Sequence, residues 1–220
     1  MISIAQEKLI KSLQRKQGRE KHRLCLVEGS KLLDLASEYI DFTFKREDTD
    51  IFDHLVTTKT PQHIAAVARI PKWSLEDVAK ERVVVLDGVQ DPGNVGAIMR
   101  LCLGFDAGLV LVESADVSSP KVVRSSVGTL FQIPWIAVKR ADMESTLNSF
   151  KKPIYRLENS ENAKEISEIN ESNFVLVVGS EGSGIKSNVE GQSINITHSK
   201  KLESLNVANA LAIALYTLTK

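Results

Sequence analysis

From about residue 80 onward the chain carries five short apolar runs, VVVLD, LVLVE, WIAVK, IYRL and FVLVVG, separated by stretches of helical periodicity. Uninterrupted apolar runs of this length, bounded by turns, are what parallel strands look like when helices cover both faces of the sheet. The pattern predicts an α/β domain over residues 80–220. Upstream the rhythm differs. A basic helix is expected near residues 4–16, a strand at 24–27, a helix at about 30–39 and a short strand at 56–58. Thr60-Pro61-Gln62 reads as the start of a short helix, with Thr60 as cap and Pro61 at its first position. Residues 41–53 are polar and fit no element. The pattern stops around Arg69-Ile70-Pro71-Lys72-Trp73-Ser74, which sets off a small α+β domain at residues 1–74.

Composition narrows the function classes. With 220 residues, 43% hydrophobic and 25% charged, the chain has the balance of a soluble globular protein. No apolar run approaches the roughly 20 residues needed to span a bilayer, and the N-terminus lacks a signal-peptide core. A cytoplasmic protein with no membrane partner is expected. Cys25 and Cys102 each sit in an apolar segment and read as buried thiols. The histidines His22, His54, His63 and His198 show no metal-ligand spacing, so no metal is expected. Net charge is zero, yet residues 1–31 hold eight bases against three acids, a local +5. Such a run reads either as a solvated face or as the footprint of an RNA-facing surface.

Three loops of the α/β region carry chemical information. The first, Asp87-Gly88-Val89-Gln90-Asp91-Pro92-Gly93-Asn94, leaves a strand and enters a helix. Its glycines do not match G-x-G-x-x-G, and the chain has no G-x-x-x-x-G-K-[ST] loop, which argues against a nicotinamide-dependent enzyme or a nucleotide-triphosphate site. On the following helix Val95, Ile98, Leu101, Cys102 and Phe105 share one face, while Gly96, Met99, Arg100 and Leu103 share the other. A helix apolar nearly all round places Arg100 where solvent is scarce, so an anionic partner is expected. Asn94 also suits a helix N-cap, and Gly96 close packing. The second loop, Gly179-Ser180-Glu181-Gly182-Ser183-Gly184, follows a strand and lets main-chain groups approach a flat ligand, although a plain tight turn explains it as well. The third, Glu203-Ser204-Leu205-Asn206-Val207-Ala208, opens an alanine-rich helix for which Ser204 is a natural N-cap.

Together Asn94-x-Gly96-x-x-x-Arg100, Gly179-Ser180-Glu181-Gly182-Ser183-Gly184 and Ser204-Leu205-Asn206-Val207-Ala208 resemble the three motifs of the SpoU (TrmH-like) group of SPOUT RNA ribose 2′-O-methyltransferases. The stretch from Pro120 through Arg124 to Gly128 resembles the segment that this group carries between the first two motifs. Leu26-Val27-Glu28-Gly29-Ser30-Lys31-Leu32-Leu33 and Thr60-Pro61-Gln62-His63-Ile64-Ala65-Ala66-Val67 are similar to the L30e-like substrate-binding domain found in many members. Here that domain looks short, because the polar stretch 41–53 stands where more strand and helix belong.

The resemblance implies a parallel sheet with a C-terminal deep trefoil knot, the SPOUT fold, behind a small L30e-like domain. It implies an S-adenosylmethionine-dependent enzyme acting on ribosomal RNA, working as a homodimer. The alternatives are a transfer-RNA enzyme or an inactive RNA-binding assembly factor. The first loop would shape the RNA side of the active site, and main-chain groups at Gly179, Ile196 and Leu205 would hold the cofactor. Asn94, Arg100, Glu181, Ser204 and Asn206 are the candidate catalytic residues, with Arg100 orienting a phosphate and pairing with Glu181. One departure stands out: the group commonly has Pro-Met after the position of Ile196, and this chain has Thr197-His198.

Overall fold

The computed structural model describes residues 1–199 and 201–220 and divides into two compact units. The first comprises Met1–Lys72 together with Asp116–Gln132; the second comprises Trp73–Ala115 together with Ile133–Lys220. A connection inside the stretch read as one α/β domain is thus grouped with the N-terminal residues.

The first unit is built on an antiparallel sheet of three strands, β1 (Leu24–Glu28), β2 (Ile40–Lys45) and β3 (Ile64–Arg69), in the order β1-β3-β2. Helices Ile4–Leu13 and Lys16–His22 precede it. Ser3 starts the first helix with a capping box: its hydroxyl accepts from Gln6 N at 3.2 Å, and Gln6 Oε1 accepts from Ser3 N at 2.9 Å. Ile10 and Leu13 of that helix pack with Leu26, Val67, Phe44 and Phe52, the last two with ring centres 5.6 Å apart.

Three sequence expectations fail in this unit. Residues 41–53 are not structureless: they hold most of β2, a 3-10 turn at Arg46–Asp48 and the start of helix Phe52–Leu55. The strand was hidden because only one face is buried, with Asp41, Thr43 and Lys45 exposed and Phe44 fully inside. Residues 56–58 form no strand, and no helix starts at Thr60. The chain there runs into β3, the central strand, hydrogen-bonded on both sides, while Gln62 Oε1 accepts from Ser30 N at 3.0 Å. Tertiary pairing overrides the local capping signal.

Asp116–Gln132 is tied to the N-terminal residues by charge. Arg19, only 4% exposed, places Nη2 2.6 Å from Asp116 Oδ2, and its Nη1 donates to Leu13 O at 2.9 Å. Arg124 Nη1 lies 3.4 Å from buried Glu28, whose carboxylate also accepts from Thr57 N, Thr57 Oγ1 and Thr58 N.

The second unit is a seven-stranded sheet, β4 (Arg82–Asp87), β5 (Ala107–Val112), β6 (Trp135–Val138), β7 (Ile154–Leu157), β8 (Lys164–Glu165), β9 (Phe174–Gly179) and β10 (Gln192–Asn195). Its order is β6-β5-β4-β9-β7-β10-β8, and every pair is parallel. The five apolar runs are β4, β5, β6, β7 and β9. Val83, Val84, Val85 and Leu86 are all fully buried, so both faces of β4 are covered. Helix Met143–Ser149 contributes Met143 and Leu147 to the layer containing Val83 and Val85. Helices Pro92–Gly104 and Val207–Leu218 pack against each other.

Burial pushes the Cys25 and Cys102 thiols up to about 12, out of reach of thiolate chemistry. Among the described residues no helix is long and apolar enough to cross a membrane.

Removing Asp116 would leave the Arg19 guanidinium buried without its charge partner. Asp116→Ala is expected to destabilise the protein by about 3 kcal/mol in urea unfolding. An unchanged midpoint would show that the pair contributes nothing.

Candidate active site

The three loops meet at the carboxyl ends of the central strands. Asp91, not Asn94, caps helix Pro92–Gly104: its carboxylate accepts from Asn94 N at 2.8 Å, and Pro92 stands at the first helical position. Asn94, three residues in, is thereby free to use its side chain elsewhere. The cap of helix Val207–Leu218 is likewise Asn206 and not Ser204, its Oδ1 accepting from Ala208 N at 3.0 Å and Asn209 N at 3.2 Å.

That cap orients the network. With Asn206 Oδ1 on main-chain donors, its Nδ2 faces outward and donates to Asn94 Oδ1 at 3.0 Å and to Glu181 Oε1 at 3.2 Å. Asn94, its oxygen occupied, turns its own Nδ2 to Glu181 Oε1. One residue from each motif thus joins a single polar cluster, across separations of 25, 87 and 112 positions.

The expected pairing of Glu181 with Arg100 is not formed. Helix Pro92–Gly104 turns Val95, Ile98, Met99 and Cys102 inward, which leaves Arg100 exposed and Leu103 42% exposed. Among the described residues the Arg100 side chain makes no hydrogen bond or ion pair, so the expectation of a buried arginine with an anionic partner is corrected for the single chain.

The reason expected for Gly179 also changes. Ser180 N donates to Gly184 O at 3.2 Å and Gly184 N to Ser180 O at 2.8 Å, folding residues 180–184 back onto the strand end. A Cβ on Gly179 would run into the main chain of Gly184 and Ile185. Glycine is required by the loop's own closure before any ligand arrives.

A buried charge that sequence reasoning passed over anchors the chain just beyond this loop. Asp87, the last residue of β4, has a fully buried side chain, and its register partner on β9 is Gly179. Its Oδ2 accepts from Lys186 N, Ser187 N and Ser187 Oγ, each at 2.8 Å, and its Oδ1 lies 2.6 Å from Arg140 Nη1. Arg140 Nε in turn meets Glu113 Oε2 at 3.1 Å. Burial pushes the Asp87 carboxyl up, but the bonds from Ser187, Arg140 and Lys186 N outweigh it and hold the group below its ordinary 3.8. The only sequence signal was an aspartate ending an otherwise apolar run.

Beside the cluster lies a cavity of about 390 Å³, within the range of small-molecule sites, formed by the ends of β7, β9 and β10 and by the third loop. Gly179, Glu181, Ile196, Ser204 and Leu205 line it, whereas Asn94, Arg100 and Asn206 do not. Among the described residues its lining carries the carboxylates Glu158, Glu181 and Glu203 and no lysine or arginine, beside apolar walls such as Leu157, Val178 and Leu205. S-adenosylmethionine has a sulfonium and an ammonium against one carboxylate, so an acid-lined, partly apolar hollow fits its net positive charge and its purine. Thr197 and His198 are anchored: Thr197 Oγ1 donates to Glu165 Oε2 at 2.5 Å, and His198 Nδ1 lies 2.8 Å from Ile196 O. His198, Glu158 and Glu203 line the cavity without having been singled out as ligand contacts. Among the described residues no cluster of histidine, cysteine or acidic groups is arranged to hold a metal.

Two substitutions probe this geometry. Gly179→Ala is expected to open the 180–184 loop, costing about 1–3 kcal/mol in thermal unfolding together with any loss of cofactor affinity; unchanged stability would mean that the loop tolerates the methyl group. For Asp87, the folded-state value is depressed, so its contribution to stability is complete above about pH 4 and is lost as pH falls through the folded value. Asp87→Asn should cost about 3 kcal/mol at pH 7 and flatten the acid limb of the stability profile. A mutant curve parallel to the wild type below pH 4 would contradict this assignment.

The SpoU rRNA Methylase family model matches residues 81–216. The 23S rRNA (guanosine(2553)-2′-O)-methyltransferase RlmP of Bacillus subtilis is 36% identical over 177 residues, covering 77% of this chain and 69% of that protein. The 23S rRNA (adenosine(1067)-2′-O)-methyltransferase of Streptomyces azureus is 30% identical, covering 85% and 73%. Among solved structures, a TrmH-family protein of Porphyromonas gingivalis aligns with a TM-score of 0.87 at 31% identity, over 99% of this chain and 98% of that one. An AdoMet-bound rRNA methyltransferase of Sinorhizobium meliloti shares the fold, with a TM-score of 0.85 at 23% identity over 99% and 96%. The apolar strands, the three loops and these likenesses agree: the chain belongs to the SpoU rRNA methylase family.

Proposed function

We propose that the protein transfers a methyl group from S-adenosylmethionine to a ribose 2′-hydroxyl of ribosomal RNA. The observation that carries this reading is the Asn94–Glu181–Asn206 cluster, which joins all three motifs beside an acid-lined cavity at the strand ends. The family and its rRNA-methylating relatives support the substrate class.

The cofactor, when bound, supplies an electrophilic methyl group for in-line displacement. Gly179, Ile196 and Leu205 offer main-chain groups and close walls for the nucleoside, while Glu158 and Glu203 supply negative charge. Glu181 Oε1 is committed to two amides, which leaves Oε2 to meet the incoming ligand. Asn94 and Asn206 hold that carboxylate in place, and Ser204 lines the same hollow. Arg100 orients the phosphate beside the target ribose; a guanidinium holds its proton too firmly to act as a free base.

The reading extends to assembly. Leu103, Ile213 and Tyr216 expose apolar surface at 42%, 41% and 56%, on the two helices that pack together. We take this face as the homodimer contact, which would bring Arg100 of one subunit toward the cavity of the other. We read residues 1–74 as an L30e-like RNA-binding domain and 80–220 as the catalytic domain, with its C-terminal part threaded as a trefoil knot. A cytoplasmic location goes with a ribosomal substrate.

Incubation with labelled S-adenosylmethionine and ribosomal RNA should give label in dinucleotides that resist alkaline hydrolysis, because a 2′-O-methyl group blocks that cleavage. No transfer, or label only in alkali-sensitive products, would overturn the proposal. Arg100→Ala should lower turnover about 100-fold with cofactor affinity kept within about twofold, as calorimetry would read. Tyr216→Glu should yield monomers in sedimentation and remove activity; a fully active monomer would exclude the shared site.

A further inference from the structure

The first unit sorts the basic N-terminal run into cations with partners and cations without. Arg19 is buried on Asp116, and Lys16 lies 3.7 Å from Glu20. Lys8, Lys11, Arg15 and Lys21 instead converge on one open hollow of about 680 Å³, together with His22 and His54. All four are exposed, and among the described residues none forms an ion pair. The lining contains no aspartate or glutamate.

The hollow is a product of the fold. Helix Ile4–Leu13 ends at Gln14, and Arg15 adopts an extended conformation that turns the chain into helix Lys16–His22. Gly18 lets the second helix close on the first, since a Cβ there would run into the Ser12 carbonyl. Gln14 Nε2 donates to His54 O at 2.8 Å and Leu55 O at 3.2 Å, which holds the His54 turn on the same side. Four like charges gathered around one concavity repel each other, and no ion pair among the described residues neutralises them.

We infer that this hollow is a docking site for the RNA phosphate backbone, an inference that rests on the RNA substrate proposed above. Lysine and arginine supply charge, and Gln14, Gln17 and Ser12 supply hydrogen-bonding groups for phosphate and ribose oxygens. The lining has no phenylalanine, tyrosine or tryptophan on which a base would stack. The site therefore contributes affinity and register, and leaves nucleotide choice to other surfaces.

The test is binding of a fluorescent ribosomal-RNA fragment measured across potassium chloride concentrations. Changing Lys8, Lys11, Arg15 and Lys21 together to glutamine should reduce the slope of log affinity against log salt by about 3, at about 0.7–0.9 per lost contact. Changing Lys16 and Lys31, which lie outside the hollow, should reduce it by less than 1. An unaltered slope in the fourfold variant, or an equal reduction per charge in the control, would overturn the site. Unaltered thermal unfolding and S-adenosylmethionine affinity would show that the fourfold variant is folded; if they change, Lys11→Gln/Arg15→Gln alone should still lower the slope by about 1.5. Anionic vesicles bound through these four residues, with RNA affinity unmoved, would reassign the hollow to lipid. Wild-type protein that neither binds nor methylates RNA would instead defeat the functional reading itself.

Discussion

Asp87 is a carboxylate with no exposed side-chain surface, at the end of the interior strand β4 of the second unit. An unpaired charge there would be untenable, so the fold supplies partners for both of its oxygens: Lys186 N, Ser187 N and Ser187 Oγ on one, Arg140 on the other. The donors at 186 and 187 lie just past the Gly179–Gly184 loop, on chain some 100 positions downstream of the acceptor. Satisfying this one charge therefore fixes where the second loop must return to the sheet.

The rest of the site is arranged from that return. Gly179 lies level with Asp87 across β4 and β9, and the absence of a side chain there lets residues 180–184 fold tightly back. Glu181 then stands where the amides of Asn94 and Asn206 can both reach Oε1. Both amides begin helices, one as the cap and one inside the first turn, so their side chains are held by helix geometry and not by a flexible loop. The cavity beside them lies at the carboxyl ends of β9, β7 and β10, adjacent strands whose sequence order is scrambled, the arrangement in which parallel sheets leave a crevice.

β4, β5 and β9, buried on both faces, were legible because such burial demands continuous apolar residues; β6, at the sheet edge, and β7 carry apolar runs although they are only partly buried. The two-residue edge strand β8, and β10 with its sequence QSIN, carry no such run and are recognisable only from their pairing. Motif resemblance located the three loops; local rules then misassigned their caps, because Asp91 and Asn94 both suit an N-cap and only the folded chain shows which one is used. The helical wheel likewise separated Arg100 from Val95 without revealing that Met99 belongs inside and Arg100 outside. Asp87 could not have been assigned a role, since its partners are set by a sheet register and a loop return that no local pattern records.

A net charge of zero is a poor guide to what this chain binds. Among the described residues, the cavity of the second unit is lined by three glutamates and no lysine or arginine, while the hollow of the first gathers four unpaired cations and no acid. A surface of one sign could not serve a cationic cofactor and a polyanionic RNA equally well. Because charges are screened beyond about 8 Å at physiological salt, each ligand responds to the sign of its own site and not to the chain's total. Segregating charge by unit lets one protein attract two ligands of opposite sign, and it does so with ordinary residues whose placement, not their number, differs from a neutral surface.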